Sequence, residues 1–265
     1  MTALAYNNPR VQQLRRLIGR RSSRHEEGRF VVEGRVLVAE AMAAGWIVEA
    51  QFVAEESDAS LPSSGAVIEL APGVFERVAS TETPQPPIAI VKMVDRDVAA
   101  TLATAGLVMV LDRIADPGNL GTIIRSAEAA GVDAVVLTPG SVDPFSPKVV
   151  RSSAGALFHV PVISAGIDDV AAAGLTLVGT SSHGAPGRTV VSSTRADLTG
   201  RVALVMGNEA AGLPDEWNDV VGPVRSWITI EHKGRSESLN VAMAATVLAF
   251  EAARQRDQES ENGGY

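Results

Sequence analysis

The chain has 265 residues, 46% of them hydrophobic and 20% charged, a composition typical of a globular protein with one large or two smaller α/β domains. It contains no cysteine, which excludes disulfides, thiolate metal sites and a cysteine nucleophile. No run approaches the roughly 18 apolar residues of a spanning helix, and the N-terminus lacks a signal-peptide pattern, so we expect a cytoplasmic protein. The net charge of −8 argues against bulk electrostatic capture of nucleic acid.

The first part of the chain, residues 1–98, is predicted to form a small α/β sandwich domain. Asn8 and Pro9 are typical of a helix start, with Asn at the N-cap and Pro at the first helical position. Further strands and helices are predicted at 30–34, 35–45, 48–55, 66–70, 73–79 and 88–94. Residues 99–106 carry few apolar anchors and are predicted to be a linker.

Arginines are concentrated near the start of the chain, where eight of them stand against three glutamates between Arg10 and Arg35. A solvated helix face explains such a run about as well as contact with phosphate does. The use of arginine without lysine favours phosphate, because the guanidinium fork pairs with it bidentately. The candidate contacts to nucleic acid are Arg15, Arg16, Arg20, Arg24 and Arg35.

The second part, residues 107–256, has the regular alternation of a parallel sheet with crossover helices. Continuous apolar strands are predicted at 107–112, 134–138, 158–162, 175–181, 202–207 and 227–230. A final helix is predicted over about 238–254, with Leu239, Met243, Val247 and Phe250 at helical spacing. Such sheets bind ligands at the carboxyl ends of their strands. The polar tail, 257–265, is predicted to be disordered.

The motifs of the common α/β enzymes are missing. There is no GxGxxG after the first strand of the sheet, no GxxxxGK[ST] and no GxSxG, and the four histidines lack metal-ligand spacing. These features disfavour a nucleotide-binding metabolic enzyme and a common hydrolase, and we expect no metal.

Three polar clusters follow apolar strands at ends that should converge in space. They lie at 111–131, 202–214 and 228–245, and they contain Asn119, Arg125, Gly207, Asn208, Glu209, Ser236, Ser238 and Asn240. An Arg, a Glu, two Asn and a Ser, without metal or thiol, suit electrostatic work on an oxygen nucleophile.

Each of these residues also has a plainer interpretation. Arg125 could pair with Glu128 on its own helix. Asn119 could be a turn or cap residue, and Glu209 a simple loop carboxylate. Ser238 and Asn240 could serve only as a helix N-terminus.

At these residues the sequence resembles the SpoU (TrmH-like) branch of the SPOUT methyltransferases. DPGNLGTIIRSAEAAG, VMGNEAAGLP and IEHKGRSESLNVAMAA are similar to the three signatures of that family and occur in its order. FVVEGRVLVAEAMAAG in the N-terminal half resembles the family's substrate-binding domain, of ribosomal-protein L30e-like fold. The resemblance covers nearly the whole chain, and it is closest to the 23S ribosomal RNA enzymes, including the thiostrepton-resistance type.

The resemblance implies an L30e-like domain followed by a parallel-sheet SPOUT domain with a deep trefoil knot, paired as a homodimer. It implies 2′-O-ribose methylation of RNA, with S-adenosyl-L-methionine as the methyl donor. Arg125 would contact the target phosphate and assist deprotonation, with orienting partners at Asn119, Glu209, Ser238 and Asn240. The cofactor would contact Gly207, Ile230 and Leu239, and more weakly Thr180, Ser181 and Met206.

The sequence departs from the family pattern at three positions. Glu231 and His232 stand where the family commonly has Pro-Met, and Ala210 stands where it commonly has Gly. These departures affect the expected shape of the cofactor pocket. Two alternative functions stay open: a transfer RNA ribose methyltransferase, and a non-catalytic RNA-binding or ribosome-assembly protein, which the intact polar set disfavours.

Overall fold

The computed structural model describes residues 3–63, 65–182, 189–218, 222–224, 226–235 and 237–262. It divides into two compact units. The first comprises the chain up to Asp95 together with Asp143–His159, and the second comprises Arg96–Val142 and the chain from Val160 onwards. The sequence assigned 143–159 to the second domain, and the structure therefore differs from that expectation.

The helices and strands follow one another in this chain order. Up to Lys92 they are α1 (Pro9–Gly19), α2 (Arg21–Glu27), β1 (Arg29–Glu33), α3 (Arg35–Ala43), β2 (Val48–Ala54), β3 (Ala66–Leu70), α4 (Val74–Val78) and β4 (Ile88–Lys92). From Val98 they are α5 (Val98–Thr104), β5 (Leu107–Leu111), α6 (Pro117–Ala129), β6 (Ala134–Leu137), α7 (Pro147–Ser152), β7 (Val162–Ser164), α8 (Ile167–Ala172), β8 (Thr176–Thr180), β9 (Val190–Ser192), β10 (Val202–Met206), β11 (Ser226–Thr229) and α9 (Val241–Asn262).

The first unit is built on a four-stranded sheet in the order β1-β4-β2-β3. Helix α1 begins as its sequence predicts, because the Asn8 side chain accepts a hydrogen bond from the backbone N–H of Arg10 and Pro9 occupies the first turn. Its apolar face is buried in the core of this unit through Val11, Leu14 and Leu17.

Residues 143–159 belong to the first unit because their aromatic side chains pack there. Phe145 and Phe158 lie against Phe30, with ring centroids 4.9 and 6.5 Å apart. Trp46 packs edge-on to Phe158, and its indole N–H donates to the Phe158 carbonyl at 3.0 Å. The aromatic rings therefore hold this segment and the N-terminal sheet in one core.

The second unit contains a seven-stranded parallel sheet in the order β7-β6-β5-β10-β8-β11-β9. The predicted parallel α/β architecture is thus confirmed. Two details differ. The strand predicted at 158–162 is instead a 3₁₀ turn at Ala156–Phe158 followed by β7, and the short strand β9 was not predicted. The predicted linker contains α5, whose Leu102 is buried in the core of the second unit.

The last helix, α9, buries mainly alanines and exposes most of its large apolar residues. Its buried side is formed by Ala242, Ala245, Leu248, Ala249 and Ala252, while Leu239, just before the helix, and Met243, Val247 and Phe250 are exposed. The four apolar residues that the sequence placed at helical spacing are therefore not the buried side of this helix, which packs closely on α6 of its own unit. It extends to Asn262, so the part of the predicted tail from 257 to 262 is helical, and 263–265 lie outside the described residues. Among the described helices, none combines the length and apolarity that crossing a membrane requires.

Candidate active site

A cavity of about 670 Å³ opens in the second unit at the carboxyl ends of β8, β10 and β11. All six residues that the sequence predicted as cofactor contacts line it, and they are Thr180, Ser181, Met206, Gly207, Ile230 and Leu239. Three of the predicted catalytic residues, Glu209, Ser238 and Asn240, also line it. The strand ends of the parallel sheet therefore do converge on one site, as the pattern predicted.

The loop after β10 is folded back on itself at the cavity wall. Gly207 permits this fold, since a Cβ there would lie 2.4 Å from the carbonyl carbon of Gly212. The Asn208 side chain accepts hydrogen bonds from the backbone N–H groups of Ala210 and Ala211, both at 3.0 Å. Its amide donates to the Arg113 carbonyl at 2.8 Å, which ties this loop to the end of β5. The sequence analysis gave Asn208 no role, although it stood within the second polar cluster.

Glu209, Asn119 and Asn240 form one hydrogen-bonded chain. The Asn119 amide donates to Glu209 Oε1 at 3.0 Å, and the Asn240 amide donates to Asn119 Oδ1 at 3.0 Å. Glu209 also accepts the backbone N–H groups of Ala115 and Asp116, each at 3.2 Å. The three polar clusters found in the sequence are therefore joined directly.

These contacts determine the charge state of Glu209. Partial burial raises the pKa of this carboxyl, while the hydrogen bonds from Asn119 and from the backbone N–H groups, its own and those of Ala115 and Asp116, lower it more. The net result is a pKa below the usual 4.5, so the group is ionised at neutral pH. Such a carboxylate orients its donors and is a weak proton acceptor.

Asn240 performs two roles at the start of α9. Its Oδ1 accepts the backbone N–H groups of Ala242 and Met243, at 2.9 and 3.3 Å, which is N-terminal capping. Its amide donates to Asn119, as described above. The cap interpretation is therefore confirmed for this residue, and capping leaves its amide able to join the polar network beside the cavity. Ser236 lies outside the described residues.

Arg125 is exposed on α6, and it does not line the cavity. Within the described part of the chain it makes no hydrogen bond or ion pair, so the alternative pairing with Glu128 does not form. Its guanidinium is consequently available to a ligand.

Two ring nitrogens near the cavity were not predicted. Trp227 and His232 line it, and the indole Nε1 and imidazole Nε2 atoms are buried with no hydrogen-bond partner among the described residues. Buried polar atoms without partners are uncommon in native proteins. The sequence signal for His232 was its departure from the family pattern, whereas Trp227 looked like an ordinary strand residue.

The arginines of the first unit occupy different environments. Arg24 is buried, its guanidinium paired with Asp143 at 2.6 Å and donating to the carbonyls of Leu17 and Ile18. Its donors are therefore occupied, and the structure corrects its assignment as a nucleic-acid contact. Arg16 lies 3.8 Å from the Glu27 carboxylate.

The other three candidate arginines are exposed. Arg35 makes one long hydrogen bond, 3.4 Å, to the carbonyl of Ala59. Arg15 lies over the Tyr6 ring, and Arg20 follows α1 directly.

The second unit combines a parallel sheet, a cavity of cofactor size at the strand ends and a joined polar network at the rim. These features define an α/β protein with a small-molecule site. Residues 106–250 match the SpoU rRNA Methylase family, and residues 8–89 match the MRM3-like substrate binding domain. The chain belongs to the SpoU rRNA methylase family.

Individual relatives resemble nearly the whole chain. It is 35% identical to a 23S rRNA (guanosine(2553)-2′-O)-methyltransferase of Bacillus subtilis, with 92% of this chain and 95% of the relative covered. It is 32% identical to a 23S rRNA (uridine(2479)-2′-O)-methyltransferase of Streptomyces viridochromogenes, covering 94% and 91%. The crystal structure of the SpoU methyltransferase AviRb from the same organism, in complex with AdoMet, superimposes with a TM-score of 0.83 at 31% identity, covering 95% and 99%.

Proposed function

We propose that this protein transfers a methyl group from S-adenosyl-L-methionine to a ribose 2′-hydroxyl of ribosomal RNA. The observation that carries the proposal is the cavity lined by all six predicted cofactor residues, with the Glu209–Asn119–Asn240 chain at its rim. Both curated relatives described above are named as 23S rRNA 2′-O-methyltransferases, which supports 23S RNA as the substrate.

The residues of the cavity fit the cofactor. Its volume of about 670 Å³ lies in the usual range of small-molecule sites. Met206, Ile230 and Leu239 offer apolar contact, and Gly207 brings the backbone of its loop to the cavity wall. S-adenosyl-L-methionine, when bound, supplies an electrophilic methyl group on a positively charged sulfur.

The polar residues at the rim would orient the reaction partners. Glu209 holds the Asn119 amide, and Asn119 holds Asn240, so this part of the rim is ordered before a substrate arrives. Ser238 adds a hydroxyl to the same wall. Because the Glu209 carboxylate has its oxygens occupied by N–H donors, we assign it orientation rather than proton removal.

Arg125 would act on the RNA. A guanidinium with a pKa above about 12 does not serve as a free base. Its charge would instead bind the target phosphate and stabilise the negative charge that develops on the ribose oxygen as the hydroxyl proton passes to solvent water. The absence of a partner for Arg125 within the described residues supports this role, since no acid competes for it.

The exposed apolar residues at α9 support a homodimer. Leu239, Met243, Val247 and Phe250 lie at spacings of three and four residues, and they are between 40% and 51% exposed. A run of large apolar side chains on one exposed helix face indicates an interface. A second copy of this chain is the occupant we propose, in a two-fold pair. Arg125 of one subunit would then work beside the cofactor bound by the other, which fits its position outside the cavity of its own chain.

The proposal also covers finer features of the fold, the location of the protein in the cell and its need for a metal. Membership of the SpoU family supports a trefoil knot in the second unit. The match to a substrate-binding domain supports an L30e-like first unit that contacts RNA through exposed arginines such as Arg15, Arg20 and Arg35. A ribosomal RNA substrate supports action in the cytoplasm. We propose no metal, because a sulfonium is already an activated methyl donor.

The test is methyl transfer from radiolabelled S-adenosyl-L-methionine to purified ribosomal and transfer RNA from a strain that lacks the gene. We expect label in 23S RNA, at one ribose 2′-oxygen. Label confined to transfer RNA would instead identify transfer RNA as the substrate. Cofactor binding by calorimetry without transfer to any RNA would favour the non-catalytic RNA-binding alternative.

A further inference from the structure

Two arginines of the first unit share one aromatic ring. The guanidinium carbon of Arg77, in α4, lies 3.8 Å from the centroid of the Tyr6 ring, and that of Arg15, in α1, lies 4.5 Å from the same centroid. Both arginines are exposed, and Tyr6 is partly buried against the core of the unit. The ring therefore holds two cations near each other at the surface.

Neither cation has an acidic partner among the described residues. Arg15 donates only to the neutral side-chain amide oxygen of Gln12, at 3.0 Å. Arg77 makes no hydrogen bond or ion pair within the described residues. Other arginines of this unit do face carboxylates: Arg16 faces Glu27, Arg24 faces Asp143 and Arg29 faces Glu49.

The two guanidinium groups place like charges close together at an exposed surface. The two guanidinium carbons are separated by at most the sum of the two ring distances, about 8 Å, at which like charges still repel in water. The ring face offsets part of that repulsion and, apart from the one bond from Arg15 to Gln12, leaves the N–H donors of both guanidinium groups available to an anion.

We propose that Tyr6, Arg15 and Arg77 form a phosphate-binding site for the backbone of the RNA substrate. The inference rests on the proposed function, and it adds Tyr6 and Arg77, which the sequence pattern did not single out. RNA is the favoured ligand because its strand carries a regular series of phosphates, which can bind both guanidinium groups at once. Because the contacts are to phosphate, the site would position the RNA without reading its sequence.

The experiment measures binding of the full-length protein to a protein-free 23S RNA transcript over a series of salt concentrations. Arg77→Ala and Arg15→Ala should each weaken binding several-fold and reduce the slope of log K against log salt by about one. Arg29→Ala is the matched control, because it removes the same charge from the same unit at a site already paired with Glu49. Its slope should stay close to that of the wild type.

The ring is tested by a second pair of variants. Tyr6→Phe keeps an aromatic face and should bind RNA like the wild type, whereas Tyr6→Leu keeps an apolar body and should lose affinity as Arg77→Ala does. Thermal unfolding establishes that each variant folds. If Tyr6→Leu fails to fold, the RNA affinity of Arg77→Gln tests the site instead, because this variant leaves the Tyr6 ring in place.

Three results would overturn the site: equal salt slopes for Arg77→Ala and Arg29→Ala, wild-type binding by Tyr6→Leu, or competition by polyglutamate as strong as by RNA. The two proposals fail separately. Wild-type protein that methylates no RNA contradicts the function, while full methylation with unchanged RNA binding in Arg77→Ala contradicts only this site.

Discussion

Replacing Glu209 by glutamine keeps the shape of the side chain and removes its charge and one acceptor oxygen. Oε1 accepts Asn119 and Asp116, and Oε2 accepts Ala115 and, at 3.4 Å, Asn208. Whichever position the new NH₂ group takes, it faces two N–H donors, which then lose their acceptor. The variant therefore disrupts one end of the Glu209–Asn119–Asn240 chain.

The size of the effect follows from those two lost bonds. A hydrogen bond to a charged group contributes about 1.5–3 kcal/mol when buried. Glu209 is exposed at the cavity rim, so solvent screening reduces each to about 1 kcal/mol. Two such losses, at about 1.4 kcal/mol per factor of ten, predict a methyl-transfer rate about 10- to 30-fold lower.

The assay is single-turnover methyl transfer at saturating cofactor and RNA, with affinity for the cofactor measured separately by calorimetry. The matched control is Glu231→Gln, which removes the same charge from a carboxylate whose described partner is Arg195 at 3.5 Å. That variant should transfer methyl groups within about twofold of the wild-type rate, because no bond of the rim network is lost.

The pH dependence separates orientation from proton removal. Because the pKa of Glu209 is lowered in the folded protein, the carboxylate and its bonds persist above the usual 4.5 and are lost only as the pH falls through the depressed value. The deficit of Glu209→Gln should thus be constant between about pH 6 and pH 9. A wild-type rate that rises through neutral pH, in a step that Glu209→Gln lacks, would show that Glu209 is a base and contradict its orienting role. Equal rates for the two proteins would refute it as well.

Three further predictions follow from the same geometry. Arg125→Ala should lower methyl transfer about 10²–10³-fold with cofactor affinity unchanged, and Glu128→Ala on the same helix should stay active; equal loss in both would remove Arg125 from the catalytic set. Met243→Glu should give monomers at micromolar concentration in sedimentation, and an intact dimer would contradict the proposed interface. Deleting residues 1–95 should destabilise the remainder, because 143–159 loses its aromatic packing partners; a cooperative melt at the wild-type temperature would contradict this.

Local patterns predicted those parts of the fold that depend on local interactions. The start of α1 was predictable because the Asn8 side chain caps the helix that follows it directly. The strands of the parallel sheet were recognisable as apolar runs, since both faces of each are covered. The strand β9 was missed because three residues are too few for a period to be seen.

Long-range partners account for the errors. Arg24 looked like its neighbours in sequence, and the feature that separates it from them is Asp143, which lies 119 positions away. The segment 143–159 joined the first unit through contacts of Phe145 and Phe158 with rings more than 100 positions earlier. No periodicity or spacing reports such contacts, because they are properties of the assembled core.

The chemistry of the asparagine side chain explains why the sequence was consistent with both a capping and a catalytic interpretation of Asn240. An asparagine side chain has an acceptor at one atom and two donors at the other, so one residue can cap a helix and still bind elsewhere. Asn240 does so, because its Oδ1 receives the first N–H groups of α9 while its amide reaches Asn119. The cap fixes the direction of the amide, and through Asn119 it fixes one of the donors to Glu209. Capping is therefore part of how the rim is ordered.

It follows that Asn240→Asp, which keeps the capping oxygen and loses the donor, should preserve the stability of α9 and still impair methyl transfer. If the variant is as active as the wild type, the Asn240–Asn119 bond contributes nothing to catalysis.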